Sequence, residues 1–309
     1  MKSLKIVATG KYLPKKKVEN LELANILDVS EEFLISRTGI ETRYYAENET
    51  IEDMAINAAS DLTNKNDIDK NKIEMIIVAT TTTKNLMPGI SYKIQKYLNI
   101  KKCICLDILA GCAGYVNAFD IARLYITTGK CNNALIIGVD KLSDYTDKSD
   151  ISTAVVLSDG AGATFIETST EEKIYDSNIL SDGTKGDILT CNFNEKIYMN
   201  GKEVYKYAVT ETVNNIKVLL EKNNEKLDDI KYIIPHQANA RILDAIVDRL
   251  SVTKEKMYRN ISRVGNTFCA SIPIAIDEMF ENNLLKENDK VIIHGYGGGL
   301  NTASILMEV

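Results

Sequence analysis

Asp107-Ile-Leu-Ala-Gly-Cys-Ala-Gly-Tyr-Val-Asn-Ala-Phe119 is the stretch on which the reading of this chain turns. A run rich in β-formers, Cys103 to Leu109, stops at small residues, and Tyr115, Val116, Phe119, Ile121, Leu124 and Tyr125 then follow a helical period. Cys112 therefore falls on a strand-to-helix turn, where unpaired N–H groups and the positive end of the helix dipole favour an anion over a thiol. A dipole contribution of up to about 2 kcal/mol corresponds to roughly 1.5 pKa units, enough to bring a free-cysteine value of about 8.5 near neutrality. Gly111 and Gly114 leave space beside the sulfur for a substrate. The competing reading of Cys112 is a small buried side chain that only packs.

Working outward, the 309 residues suffice for one large domain or two of ordinary size. A hydrophobic content of 45% with 26% charged residues fits a soluble globular protein. The net charge of −6 supplies no global basic field, which argues against nucleic acid as the main partner. No apolar run approaches the roughly 18 residues of a membrane span, and Leu4 to Thr9 is too short for a signal peptide, so a cytoplasmic protein is expected. Cys103, Cys105, Cys112, Cys131, Cys191 and Cys269 form no C-x-x-C pair, and His236 and His294 are the only histidines. Neither a zinc site nor a disulfide framework is suggested, and any imidazole chemistry must use one of those two rings.

Upstream, Leu4 to Thr9 reads as a strand, Ser30 opens a short helix ending near Thr38-Gly39, and Thr50 with Asp53 caps a longer one. Asn64 to Lys72 reads as a solvated connection and Met75 to Thr80 as a buried strand. A faint repeat then emerges. Ile76, Cys112 and Ile136 have counterparts in Ile233, Asn266 and Ile292, at offsets of 157, 154 and 156. Near-constant offsets suggest two strand-helix halves of similar topology, residues 1–168 and 169–309. The boundary is expected just after a hairpin from Thr153 to Glu167 that turns at Ser158-Asp-Gly160. Halves related by a pseudo-twofold would bring Cys112, His236 and Asn266 together from equivalent element ends.

His236 follows Pro235 at the carboxyl end of a strand, where α/β proteins place ligands, and a helix begins near Ala238. His294 lies inside a strand and reads as a packed histidine, so His236 is the preferred functional ring. Asn266 sits at a Gly-containing turn before the helix Ile272 to Phe280, where the plain reading is an N-cap. Gly295-Tyr-Gly-Gly-Gly299 between two strands marks a bulge or a close backbone approach, and one of its N–H groups aimed at the Cys112 sulfur would build an oxyanion hole with the Cys112 N–H. Neither a dinucleotide-binding nor a P-loop glycine pattern occurs.

Together these pieces resemble the β-ketoacyl-acyl carrier protein synthase III family of the thiolase fold, over essentially the whole chain. The matching pieces are Ser36 to Ile40, Gly111 to Tyr115, Asp159 to Ala163, Pro235 to Asn239, Gly265 to Thr267 and Gly297 to Gly299, in family order. The resemblance implies an α/β protein with a five-layered αβαβα fold of two similar halves, working as a cytoplasmic homodimer. It implies an acyltransferase that carries an acyl primer on Cys112 and condenses it with malonyl-acyl carrier protein, initiating fatty acid or related acyl chain synthesis. His236 and Asn266 would serve the decarboxylation, and the Cys112 and Gly298 N–H groups the oxyanion hole. Acyl carrier protein and coenzyme A thioesters are the implied partners, with neither nucleic acid nor membrane, and neither metal nor redox cofactor is required.

Around the substrate path the chain departs from the pattern. Phe33 stands where the family usually has Trp, Ile151 where an Arg commonly helps clasp coenzyme A, and Lys202 where an Asn is usual, while Arg37 is kept. Weaker clasping of coenzyme A leaves acyl carrier protein as a possible source of both substrates. Met87, Phe268 and Cys269 also depart from common residues near the acyl tunnel, and Met199 is a further expected substrate contact. Arg241, Arg249 and Lys206 are the expected basic positions for docking an acidic carrier, with Asp244 and Asp248 diluting their field. Three alternatives stay open: acyl transfer from Cys112 to an oxygen, nitrogen or aromatic acceptor, a Cys/His/Asn hydrolase, and a non-catalytic scaffold.

Overall fold

Residues 3–309 are described by a computed structural model. The larger sheet contains β1 (Ser3–Tyr12), β2 (Met75–Ala79), β3 (Ile104–Ile108), β4 (Asn133–Asp140) and β5 (Gly160–Ser169), in the order β1-β5-β4-β2-β3. The second contains β6 (Tyr175–Ser181), β7 (Tyr232–Pro235), β8 (Lys290–Gly297) and β9 (Asn301–Glu308), in the order β7-β8-β9-β6. Strand β2 runs parallel to β3 and β4, and β4, β5 and β1 follow antiparallel. In the second sheet β7 runs parallel to β8, and β8, β9 and β6 follow antiparallel. A single parallel bridge from Ile233 to Met257 stands where the first sheet has β3.

The helices that matter are α1 (Ile51–Lys65), α2 (Ile90–Tyr97), α3 (Gly114–Thr127), α4 (Gly201–Lys222), α5 (Ala240–Leu250) and α6 (Ser271–Glu281). Met75, Ile77 and Ala79 of β2 pack with α3 and α6, whereas Ile76 and Val78 pack with α1 and α2. Covering both faces is why this strand reads as one continuous apolar run rather than an alternation. Val291 and Ile293 of β8 meet the same central helices, and Ile292 faces α4 and α5. The result is the five-layered αβαβα arrangement: α1 with α2, sheet, α3 with α6, sheet, α4 with α5.

Element starts make the internal repeat more regular than the sequence suggested. Met75 and Tyr232 open β2 and β7, Asn133 and Lys290 open β4 and β8, and Gly114 and Ser271 open α3 and α6, every pair 157 residues apart. By that register the counterpart of Cys112 is Cys269, and Asn266 lies three residues ahead of that position.

Two local expectations change. No hairpin spans Thr153 to Glu167: Ile151–Ala154 is a helical turn, and β5 starts only at Gly160. The backbone between them is committed elsewhere, with Leu157 bridging Asn266 and Ser158 N–H donating to the Asn266 carbonyl. Lys65, placed by sequence in a solvated connection, closes α1 and pairs with Asp277 at 2.6 Å and Glu281 at 2.9 Å on α6. The caps at Ser30 and Thr50 form as read, with Ser30 Oγ accepting from Phe33 N and a reciprocal Thr50–Asp53 box. Among the described residues no helix is long and apolar enough to cross a membrane.

Candidate active site

Cys112 occupies a 3₁₀ turn, Gly111–Ala113, between the end of β3 at Ile108 and the start of α3 at Gly114. Burial of Tyr115, Val116, Phe119, Ala122 and Ile126 anchors α3 in the central layer, at about 1.5–3 kcal/mol for each large side chain. Two glycines let the turn meet the loop after β8. Gly111 has φ +55°, and a Cβ there would come 2.3 Å from the Gly298 carbonyl oxygen. A Cβ on Gly297 would come 2.6 Å from Cys112 N. This backbone-to-backbone contact puts the N–H groups of Gly298 and Cys112 against the sulfur, where both favour the thiolate.

They do not win. Cys112 is 4% exposed, and burial first, with the Asp140 carboxylate second, pushes the thiol well above its usual range. The near-neutral thiolate expected from the helix dipole is therefore corrected: desolvation exceeds the pull of the two N–H groups, and resting Cys112 is a thiol. Asp140, which the sequence reading did not single out, is fully buried. It accepts from Thr80 Oγ1, Thr81 N, Thr82 Oγ1 and, on its other oxygen, Cys269 N, tying the ends of β2 and β4 to the turn before α6.

His236 continues β7 past Pro235, with its backbone N–H on the His294 carbonyl at 2.7 Å. Its Nδ1 lies 2.7 Å from Ser271 Oγ, which also accepts from Gln237 N at 3.2 Å. The hydroxyl has one proton, and giving it to Nδ1 assigns the ring proton to Nε2 as a donor. Burial lowers the His236 pKa to about 3, so the ring is neutral at working pH. Asn266 Oδ1 accepts from Phe268 N at 3.1 Å, which orients the amide and leaves its NH₂ as donor. The helix-cap reading of Asn266 is thereby refined: its side chain closes its own turn, and α6 begins at Ser271 without a side-chain cap. His294 is packed, its two nitrogens 2.7 Å from Ser304 Oγ and 2.9 Å from Thr212 Oγ1.

Cys112, His236 and Asn266 line one cavity of about 730 Å³. Phe33, Arg37, Ile151, Met199, Lys202, Phe268 and Arg241 line it too, with the Arg37 guanidinium 5.2 Å from the centre of the Phe33 ring. Gly298 lines an adjoining smaller cavity with Cys112 and Phe268. Met87 is 85% exposed and lines neither cavity of this chain; its segment lies on the surface between β2 and α2. Lys206 on α4 and Arg249 on α5 are exposed and lie outside the cavity wall, Arg249 donating to Thr210 at 3.3 Å. Ser271 and Tyr296 were missed as site residues, although both lie in segments singled out by sequence. Neither residue type signals a site by itself; strand pairing and helix packing bring them to His236.

Comparison with known proteins agrees with this architecture. Residues 106–183 match the family model described as 3-oxoacyl-acyl-carrier-protein (ACP) synthase III, and residues 220–309 match its C-terminal counterpart. A relative from Clostridium novyi (strain NT), a beta-ketoacyl-acyl-carrier-protein synthase III, is 38% identical, the match covering 100% of this chain and 99% of the relative. The protein of the same description from Clostridium perfringens (strain 13 / Type A) is 39% identical over 100% of both chains. The crystal structure of the 3-oxoacyl-acyl-carrier-protein synthase III from Aquifex aeolicus VF5 superimposes with a TM-score of 0.96 at 36% identity, covering 99% of this chain and 100% of that one. With two family models matched in order, over residues 106–183 and 220–309, and full-length relatives well above 30% identity, this chain belongs to the 3-oxoacyl-acyl-carrier-protein synthase III family.

Proposed function

We propose that the enzyme performs a decarboxylative Claisen condensation between an acyl primer carried on Cys112 and malonyl-acyl carrier protein, the opening step of fatty acid or related acyl chain synthesis. The observation that supports this reading is that one cavity is lined by His236, whose ring burial keeps neutral, by the Asn266 amide and by Cys112 with two N–H groups on its sulfur. In the first step the Cys112 sulfur attacks the primer thioester, and the Cys112 and Gly298 N–H groups hold the oxyanion. The leaving thiolate takes the proton that Cys112 gives up, so the exchange is balanced without an added base. In the second, the malonyl thioester carbonyl accepts from His236 and Asn266 while the C–C bond to the carboxylate breaks. Carbon dioxide leaves, and the bonding pair becomes an enolate. Its carbon attacks the acyl carbon on Cys112, the C–S bond breaks with its pair on sulfur, and the Cys112 thiolate takes one proton from solvent water. A neutral histidine suits this role because the step needs a donor at the carbonyl and takes no proton from carbon. No electron changes hands with an oxidant or reductant, so the sequence needs neither a metal nor a redox cofactor.

The test is carbon dioxide release from malonyl-acyl carrier protein on enzyme already acylated with a primer from acyl-CoA or acyl-carrier thioesters. Release in step with β-ketoacyl product is expected, and acyl-enzyme that forms but never decarboxylates malonyl carrier would exclude the reading. The division of roles predicts that Asn266→Ala still accepts an acyl group on Cys112 within a few-fold of the native rate, while condensation falls about 10²–10³-fold through loss of one transition-state donor. Equal losses in both half-reactions would remove the assignment.

The carrier protein docks at the cavity mouth on Arg241, with Lys206 and Arg249 outside it. Support comes from charge pairing: Asp244, which would dilute the field of Arg241, is itself held by Arg259 at 2.7 Å. Arg241→Glu is expected to raise the KM for a carrier-borne substrate on the order of tenfold at low ionic strength, with the difference shrinking as salt is added. Acylation from a small acyl-CoA should change little, whereas equal loss with both donors would place Arg241 in the fold or the active site. The working unit is a cytoplasmic homodimer. Leu86, Met87 and Leu109, at 92%, 85% and 74% exposure beside the edge strand β3, support a face covered by a second copy.

A further inference from the structure

The two N–H groups on the Cys112 sulfur belong to different segments, the turn Gly111–Ala113 and the loop 298–300 that joins β8 to β9. Gly111 and Gly297 let these segments touch, but neither has a side chain with which to hold the other in place. Asn301 spans them. It opens β9 opposite Gly297 of β8 on one flank and Ser181 of β6 on the other, so its backbone is fixed from both sides. Leu300, just before it, exchanges both backbone hydrogen bonds with Asp182, at 2.8 and 3.1 Å. From this base the Asn301 side-chain NH₂ donates to the Ala110 carbonyl at 2.6 Å, two residues ahead of Cys112. A carbonyl can only accept, so the amide must face Ala110 with its nitrogen, which leaves Oδ1 a buried acceptor without a partner. Asn301 is 8% exposed and lines neither cavity. An unmade buried acceptor costs about as much as the bond at the other end contributes, so the amide adds little to the stability of the fold. A leucine would fill the space without stranding an oxygen. What the amide does set is the spacing of two backbone segments.

We propose that Asn301 is a positioning residue for acyl transfer: its amide holds the Cys112 turn against the loop 298–300, so that the Cys112 and Gly298 N–H groups converge on one thioester oxygen. This rests on the acyl-transfer steps of the reading above. Asn301 acts through those two donors and does not itself meet the substrate. An oxyanion donor stabilises the transition state only when it lies within hydrogen-bond distance of the place where charge develops, and a shift of about 1 Å can cost on the order of 10²-fold in rate. His236 and Asn266 are oriented by other contacts, Ser271 Oγ and Phe268 N, so their donors keep their aim when the Asn301 bond is lost.

Asn301→Leu and Asn301→Ala both remove the amide, one filling its space and the other leaving it empty. The urea midpoint of Asn301→Leu should stay close to the native one, because a bond and a stranded acceptor disappear together. Acylation of Cys112 at saturating acyl-CoA, read by intact mass after quenching, should fall about 10–10²-fold in both variants, with KM for the donor changed less than about twofold. On variant protein acylated to completion by long incubation, β-ketoacyl formation should fall by a similar factor. Carbon dioxide release from malonyl-acyl carrier protein should stay within a few-fold of native, so that it outruns product, the unconsumed enolate taking a proton from water. Native-like acylation in either variant would overturn the proposal, as would a loss confined to Asn301→Ala, a loss seen only in KM, or carbon dioxide release falling in step with product. Failure of the underlying reading looks different: the native protein would then take no acyl group on Cys112, whatever residue stands at position 301.

Discussion

Cys112→Ala should leave the protein without any acyl group after incubation with acyl-CoA and acyl-carrier thioesters, while the native chain gains one acyl mass. The comparison that gives this result its force is Cys269→Ala. Cys269 occupies the equivalent turn of the other half, 157 residues on, and it too is pushed well above the usual thiol range, by burial and Asp140. The surroundings separate the two. Cys269 is fully buried, its Sγ donates to the Gly111 carbonyl at 3.1 Å, and it lines neither cavity. Cys112 opens onto the larger cavity and carries the two N–H groups on its sulfur. Cys269→Ala should therefore acylate like the native protein. Because burial holds Cys112 as a thiol, its alkylation by iodoacetamide should keep rising with pH across roughly pH 7–9, as each added unit exposes about tenfold more thiolate. A plateau near neutrality would show the dipole prevailing over burial, and an acyl adduct on Cys112→Ala would remove the nucleophile assignment.

What could be read in the chain beforehand divides along a physical line. Periodicity and punctuation are local, so the β3–α3 turn, the caps at Ser30 and Thr50 and the buried strand at Met75 were all legible. The meeting of Cys112, His236 and Asn266 in one cavity was legible too, but only through motif order and the faint repeat. That repeat was misregistered by three residues, because Asn266 sits on the approach to the turn and Cys269 within it. The thiol's pKa was beyond local reasoning: the dipole is a property of one helix, whereas the upward push comes from burial, with Gly297 at the end of β8 packed on Cys112, and from the charge of Asp140 at the end of β4. Ser271 and Tyr296 were invisible as site residues for the same reason. Each is an ordinary helix or strand residue until packing and strand pairing bring it to His236. The absent hairpin at Ser158 shows the converse failure, a valid local turn signal overruled by the pairing of Leu157 with Asn266.

Gly297→Ala should slow acylation and condensation together by about 10²–10³-fold, the loss that follows from removing one oxyanion donor. A Cβ at this position would lie 2.6 Å from Cys112 N and 2.8 Å from Cys112 Cβ, and none of these atoms can swing aside as a long side chain does. Gly297 cannot easily retreat, because it is the last residue of β8 and is paired with Asn301 of β9. Relief must come from moving the Gly298 segment away from Cys112, which takes the Gly298 N–H off the sulfur. Overpacking of this kind costs about 1–3 kcal/mol of stability, a lowered urea midpoint that still leaves a folded protein to assay. The control is Gly183→Ala, where an added Cβ meets nothing within 4 Å and φ is unstrained, so both rates should match the native enzyme. The pattern also distinguishes this variant from Asn266→Ala: a damaged oxyanion hole harms both half-reactions, whereas a lost enolate donor harms only the second. Native-like acylation in a folded Gly297→Ala protein would mean that the Gly298 N–H holds no charge in the transition state, leaving the Cys112 N–H and the helix end to carry it.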